Sequence, residues 1–123
     1  MSGNIILSKS FDFALKVVKI AQDIMKNKKE YVMSRQLLRS ATSVGANVRE
    51  SEYAQSKPDF ISKMSIALKE ANETDYWLDL VFHASLLDEI NYKALKSDID
   101  EIISILVAIV KSSKNLRMKN EEG

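Results

Sequence analysis

The chain has 123 residues, of which 46% are hydrophobic and 28% are charged, and its 18 basic and 17 acidic side chains leave a formal net charge of +1. These values are typical of one folded domain and exclude a disordered chain. With three Gly, one Pro and no Cys, the sequence also excludes a barrel or sandwich of many short strands, a disulfide framework and a Cys-ligated zinc. The absence of cysteine and of a signal-peptide pattern predicts a cytoplasmic protein.

The first predicted helix covers about residues 9–27. Apolar residues recur along it at helical spacing, and Phe11 and Leu15 belong to this stripe. Either Ser8 or Ser10 is a candidate N-cap, because serine side chains accept hydrogen bonds from the first backbone N–H groups of a helix.

Three further helices follow along the chain. The second covers about residues 32–55, although its interior is rich in Ser, Thr and Gly, so we expect tertiary contacts to hold it. The third covers about 57–85 and begins with Ser56 as N-cap, and the fourth covers about 89–117 with Asp88 as its cap. Four long helices with short connections predict an all-α, antiparallel up-down-up-down four-helix bundle that comprises the whole chain as a single domain.

The fourth helix contains a segment, residues 102–110, in which eight of nine residues are apolar. Such a helix is hydrophobic around its whole circumference, whereas the outer face of a helix in a monomeric bundle should be polar. The segment is too short to cross a bilayer, so burial against a second subunit is the favoured interpretation, and a central, well-covered helix is the alternative. The candidate interface residues are Ile102, Ile103, Ile105, Leu106, Ile109 and Val110.

Polar residues follow one line of the second predicted helix and a matching line of the third. We predict that they form a shared polar cluster between the two helices, since a buried charge needs a partner. A solvated face that keeps the bundle soluble is an equally weighted alternative. The members of this polar cluster are Arg39, Ser43, Asn47, Glu50, Glu70 and Glu73.

Charge is distributed unevenly along the chain. Residues 1–69 hold 12 basic and 6 acidic side chains, whereas residues 70–110 hold 2 basic and 9 acidic ones. A basic surface on the first two helices is a candidate site for the phosphates of RNA or DNA, and it would equally suit the acidic half of a neighbouring subunit. The candidate nucleic-acid-binding residues are Lys26, Lys28, Lys29, Arg35 and Arg49.

The sequence contains no recognisable catalytic or cofactor-binding pattern. The single histidine, His83, has Leu80 three positions before it, which excludes the Glu-x-x-His pairs of a di-iron bundle. The three glycines form no phosphate-binding loop and no nucleophile elbow. We therefore predict a protein that is not an enzyme and that holds no metal and no cofactor.

Two segments carry the most distinctive patterns of the chain. The first is RQLLRSATSVGANVRES, from Arg35 to Ser51, and the second consists of Phe60, IALKEA over residues 66–71, Glu73-Thr74 and Tyr76-Trp77-Leu78. Both closely resemble the signatures of the bacterial four-helix-bundle proteins that are encoded in intervening sequences of 23S ribosomal RNA genes. The family is similar to accessory proteins of diversity-generating retroelements.

This resemblance implies an antiparallel bundle that assembles into a ring of five subunits, and the related accessory proteins imply contact with nucleic acid. It places all six members of the polar cluster on polar positions of the family, and it implies no enzymatic activity. Gly45 stands where many members have proline, so the second helix either bends there or continues straight.

The sequence thus predicts a non-enzymatic homo-oligomer, a pentamer by the resemblance, whose candidate ligand is RNA or another nucleic acid. We expect no membrane partner and infer no small-molecule substrate. The alternative is a structural or protein–protein interaction module with no nucleic-acid role, in which the polar cluster only fixes the register of the helices.

Overall fold

The backbone of the computed structural model is helical over nearly its whole length. The structure describes residues 2–122, with side chains for residues 5–116, and no strand occurs between residues 2 and 122. The four helices are α1 (Ser2–Asp23), α2 (Val32–Ser51), α3 (Lys57–His83) and α4 (Glu89–Glu122), and a π-helical turn, Ile24–Lys28, continues α1.

Contacts between side chains establish the antiparallel arrangement. Along α2, Arg39 meets Glu73 and Glu50 meets Lys63, so α3 runs in the opposite direction. The same reversal relates α3 to α4 and α1 to α4. The α1–α4 contact is less extensive than the α1–α2, α2–α3 and α3–α4 contacts. The predicted all-α four-helix bundle is therefore confirmed.

One core lies along the axis of the bundle and receives side chains from all four helices. Its largest members are fully buried, because each helix turns one apolar stripe inward. They are Ile6, Phe13, Val17, Ile24, Leu37, Val44, Met64, Leu78, Leu95, Ile99, Ile102 and Leu106.

The start of α1 differs from the prediction. The helix begins at Ser2, about two turns earlier than expected, and Ser8 and Ser10 donate hydrogen bonds to the carbonyls of Ile5 and Leu7 within the helix instead of capping it. The predicted apolar stripe coincides only in part with the core stripe: its members Ala21 and Ile24 are buried, whereas Phe11 and Leu15 are exposed. Ile6, Phe13 and Val17 of α1 face the core instead. This helix carries two apolar stripes, and periodicity alone does not distinguish the one that faces the core.

The start of α2 depends on Glu30, which the sequence analysis did not single out. Its carboxylate accepts hydrogen bonds from the backbone N–H groups of Val32, Met33 and Ser34 at 3.0–3.1 Å. Partial burial acts to raise the pKa of Glu30, but these hydrogen bonds outweigh it and lower the pKa. The carboxylate thus satisfies the donors that a helix start leaves without a partner.

The remaining helix ends follow the predicted caps more closely. Ser56 accepts a hydrogen bond from the N–H of Asp59 at 3.1 Å, and Asp88 accepts one from the N–H of Asn91 at 3.0 Å. The second helix ends at Ser51, about one turn before the predicted residue 55, and it continues through Gly45 without a break. None of the helices in the described chain is long and apolar enough to span a bilayer.

Candidate interaction surfaces

Arg39 is the centre of an ion-pair network between α2 and α3. Its Nη1 lies 3.2 Å from Glu70 Oε2, its Nη2 donates to Glu73 Oε1, and its Nε donates to Gln36 Oε1 at 3.2 Å. Trp77 Nε1 donates to the same Glu73 oxygen at 3.2 Å. The Arg39 guanidinium, and after it the Trp77 indole, lowers the pKa of Glu73, and Glu73 in turn raises the pKa of Arg39.

The other members of the polar cluster do not join this network. Asn47 Nδ2 donates to the Ser43 carbonyl at 2.9 Å and to its hydroxyl at 3.2 Å, so this pair satisfies itself within α2. Glu50 lies 3.7 Å from Lys63 Nζ. The six residues share the seam between α2 and α3 but divide into three separate groups.

This seam is neither a buried cluster nor a plain solvated face. The side chain of Arg39 is 48% exposed, whereas those of Glu70 and Glu73 are 13% and 34% exposed. One arginine against two carboxylates leaves the network with a net negative charge. The network therefore repels phosphate, and both carboxylates already have donors, so the geometry suits a structural role.

Four of the five predicted nucleic-acid-binding residues gather at one end of the bundle. Lys26, Lys28 and Lys29 lie in and after the π-helical turn, Arg35 lies in the first turn of α2, and all four are exposed. The Arg35 guanidinium lies 5.6 Å from the centre of the Tyr31 ring. This set is called the basic turn below.

Arg49 does not belong to the basic turn. It follows Arg35 by 14 residues of the same helix, which corresponds to about 21 Å. Its guanidinium lies over the ring of Phe11 at 5.7 Å, and it makes no ion pair within the described part of the chain. The predicted basic surface is thus divided between two places.

A surface groove between α1 and α2 was missed by the sequence analysis. It has a volume of about 640 Å³, and it is called the α1–α2 groove here. Phe11 and Leu15 form one wall and are 53% and 47% exposed, although their spacing had suggested a core stripe. The lining also includes the small residues Ala14, Gly45 and Ala46, the ring of Tyr53 and the charged pair Arg49 and Glu50. The signal in the sequence was the excess of apolar residues on α1 over what one core stripe needs.

The predicted interface on α4 requires a correction. Ile102, Leu106 and Val110 are 1%, 0% and 8% exposed, so they face the core of their own bundle and are not surface residues. Ile103, Ile105 and Ile109 are half-buried at the flanks of the helix. The apolar surface that remains on α4 is smaller than predicted and includes Val107, which is 45% exposed.

A second ion-pair network, between α3 and α4, was also missed. Lys96 Nζ lies 2.5 Å from Asp75, 3.6 Å from Asp79 and 3.9 Å from Asp100, and Tyr92 donates a hydrogen bond to Asp79 at 2.7 Å. The hydrogen bond to Asp75 raises the pKa of Lys96. Each carboxylate has a cation or donor beside it, so the network fixes the register of the two helices.

The described residues offer no constellation for catalysis or metal binding. No group of three or more His, Cys, Asp or Glu side chains in this part of the chain is placed to hold a metal ion. His83 is exposed at the end of α3, where its ring lies 5.1 Å from that of Phe82. Neither ion-pair network surrounds a nucleophile.

Comparison with known proteins shows the family of this chain and a similar crystal structure. The family model for the 23S rRNA-intervening sequence protein matches residues 3–108. The chain belongs to this family. A crystal structure from Bacteroides thetaiotaomicron VPI-5482, described as a protein with unknown function from the S23 ribosomal protein family, is 46% identical, with a TM-score of 0.87. The match covers 90% of this chain and 99% of that one. No curated protein matches the chain.

The intervening-sequence family membership confirms the resemblance on which the sequence analysis relied. It also fits the geometry, because both signature segments lie on α2 and α3, the helices that share the most extensive contact. The family and the related structure are of unknown function, so membership assigns the fold and no activity.

Proposed function

We propose that this member of the intervening-sequence family is a non-enzymatic protein that assembles with copies of itself, as a pentamer, and that its ligand is RNA or another nucleic acid. The observation that carries the assembly is the α1–α2 groove. Phe11 and Leu15, in the wall of this groove, are about half exposed to water, which is unfavourable for large apolar side chains, and a second copy would cover them.

The uneven charge supports assembly as well. Residues 1–51, which contain α1 and α2, hold nine basic and four acidic side chains, whereas residues 57–110 hold five basic and ten acidic ones. The basic half of one copy therefore attracts the acidic half of another copy, whereas two like halves repel each other.

The basic turn supports the nucleic-acid ligand. It presents Lys26, Lys28, Lys29 and Arg35 to solvent within one turn region, and Tyr31, 42% exposed, offers a ring on which a base can stack. Lysine and arginine contacts with phosphates release condensed counterions, so such binding must weaken steeply as salt increases.

The assembly is tested by the mass of the purified protein. Light scattering coupled to size exclusion, at micromolar concentration, should give a multiple of the 13.9 kDa chain, and five copies is the expected number. A mass of one chain would contradict the assembly.

The nucleic-acid ligand is tested by retardation of a structured RNA and of a mixed-sequence DNA duplex at several salt concentrations. A Lys28→Ala/Lys29→Ala/Arg35→Ala variant removes three phosphate contacts, so the slope of log K against log[salt] should fall by about two to three. Lys57→Ala/Lys69→Ala/Lys93→Ala, which removes three exposed cations of α3 and α4, is the matched control and should bind as the unmodified protein does. Absence of salt-sensitive retardation would favour the interaction module without a nucleic-acid role.

A further inference from the structure

We infer that a pocket at one end of the bundle receives an unpaired base of an RNA strand whose phosphates contact the basic turn. This inference rests on the proposed nucleic-acid ligand and names the part of it that the bundle recognises. The pocket has a volume of about 620 Å³ and is called the end pocket here. It is enclosed by the end of α1 with its π-helical turn, the end of α3, the α3–α4 connection and the start of α4.

The inner part of the end pocket suits a flat organic ring. Four aliphatic side chains line it, of which Ile24 and Leu87 are buried and Ile20 and Leu86 are half-buried. Its volume falls within the range of about 300–1,000 Å³ that is typical of pockets for small organic groups. Such pockets combine an apolar lining with a few polar groups that orient the ligand.

Two aromatic rings of α3 border the end pocket. Phe82 is half-buried and His83 is exposed, with their ring centres 5.1 Å apart and their planes inclined by 64°. Tyr92 stacks on Phe82 with the ring centres 4.0 Å apart, which holds Phe82 in place. A base can stack on one of two inclined rings while its edge contacts the other, and stacking on aromatic side chains is a common way in which proteins bind unpaired bases of RNA.

The charges of the end pocket favour a base over a phosphate. Among the described residues that line it, Asp23 and Asp88 are acidic and Lys28 is the one lysine or arginine. This lining repels phosphate, whereas carboxylate oxygens accept hydrogen bonds from the N–H groups on the edges of bases. Asp88 already accepts two hydrogen bonds from Asn91. Asn27 donates to Oδ1 of Asp23, so Oδ2 of Asp23 is the acceptor that remains for a base.

Lys28 connects the end pocket to the basic turn. It lines the pocket and also belongs to the basic turn, whose other members are exposed at the same end of the bundle. A strand whose phosphates contact these cations therefore passes the opening of the end pocket. A base inside a duplex cannot enter, because its edge is paired and its faces are stacked. The end pocket thus selects RNA that has an unpaired nucleotide.

Three versions of one RNA hairpin test this selection. The first has a single bulged guanosine, whose adjacent N1–H and N2–H groups suit a carboxylate, the second has an abasic residue at that position, and the third is fully paired. Fluorescence anisotropy should show that the unmodified protein binds the bulged hairpin about tenfold more tightly than the other two, because one stacked base contributes this much. His83→Ala should remove most of this preference, whereas His83→Phe, which keeps a ring for stacking, should retain it.

A second measurement locates the bound base. The chain has one histidine, so the imidazole NMR signals of His83 report on the end pocket directly. The bulged hairpin should shift these signals more than the abasic hairpin does. Equal shifts with both hairpins would overturn the end pocket as the site of the base.

The controls separate the end pocket from the basic turn. Tyr76→Ala alters an exposed aromatic residue of the same helix that does not line the pocket, so this variant should keep the full preference. Absence of salt-sensitive binding to all three hairpins would contradict the nucleic-acid ligand itself. Salt-sensitive binding with equal affinity for all three, or a preference that survives His83→Ala, would overturn only the end pocket. Guanosine 5′-monophosphate that binds as tightly as the bulged hairpin would assign the pocket to a free nucleotide and overturn the RNA base.

Discussion

At the scale of single residues, Arg39 explains why polar side chains recur on α2. Its guanidinium reaches two carboxylates of α3, and Trp77 shares one of them, so four side chains fix how α2 and α3 lie against each other. Arg39 is about half exposed, and ion pairs open to solvent contribute about 1 kcal/mol or less to stability. The network therefore fixes the relative orientation of α2 and α3 more than it stabilises the fold.

Glu73 should make the stability of the protein depend on acid pH. Arg39, and then Trp77, lowers its pKa below the ordinary value of 4.5, although partial burial acts in the opposite direction. A carboxylate with a lower pKa in the folded state contributes stability above the unfolded pKa and loses it as the pH falls through the folded pKa. We expect the free energy of unfolding to decrease below pH 4.5, and Glu73→Gln to remove part of this dependence.

Urea unfolding at a series of pH values measures this effect. Glu52→Gln is the matched control, because Glu52 is exposed and takes no part in the Arg39 network. If the Glu73→Gln variant and the unmodified protein lost stability equally over the acid range, the proposed linkage would be wrong.

At the scale of elements, one apolar segment of α4 has side chains both in the core and on the surface. Ile102, Leu106 and Val110 complete the core of the bundle, while Val107 and Ala108 lie outside. Neighbouring positions on a helix are about 100° apart, so a segment that is apolar at eight of nine positions has both buried and exposed members.

Replacing the side chains at two adjacent positions of α4 by alanine should have different effects on stability, because one position is buried and the other is exposed. Leu106 is fully buried, so Leu106→Ala should reduce the free energy of unfolding by about 2–5 kcal/mol through lost burial and a residual cavity. Val107 is 45% exposed, so Val107→Ala should change it by about 0.5 kcal/mol or less. Urea unfolding at one fixed protein concentration measures both, and equal losses at the two positions would contradict the assigned orientation of α4.

At the scale of the whole molecule, a net charge of +1 conceals two halves of opposite sign. Within one bundle these halves meet at the extensive α2–α3 contact and at the thinner α1–α4 contact. Across the α1–α4 contact, Lys9 pairs with Glu101 and Lys16 lies 2.9 Å from Asp98. Between bundles the same asymmetry would favour contacts of unlike halves, as the proposed self-assembly requires. The charge pattern thus has one consequence within the bundle and another for the proposed assembly.

Much of the fold could be predicted from the sequence because its signals are local. The spacing of apolar residues indicated four helices, and Ser56 and Asp88 marked two helix starts, since capping depends on residues three or four positions away. The signature segments identified the family before any contact was known. For the candidate site, helical spacing places Arg39, Glu70 and Glu73 on facing lines, and these three side chains meet. Ser43, Asn47 and Glu50, which the same spacing grouped with them, make separate contacts.

The sequence by itself thus determined the helices, their order and the family, whereas only the tertiary structure decided which apolar stripe each helix buries. Phe11 and Phe13 are equally apolar, yet Phe13 is 1% exposed and Phe11 is 53% exposed. The tertiary structure also decided the Lys96 network, because Lys96 of α4 pairs with Asp75 and Asp79 of α3, which lie 21 and 17 positions before it in the sequence. Burial and ion pairing between helices depend on how neighbouring helices are placed, and no local pattern records that placement.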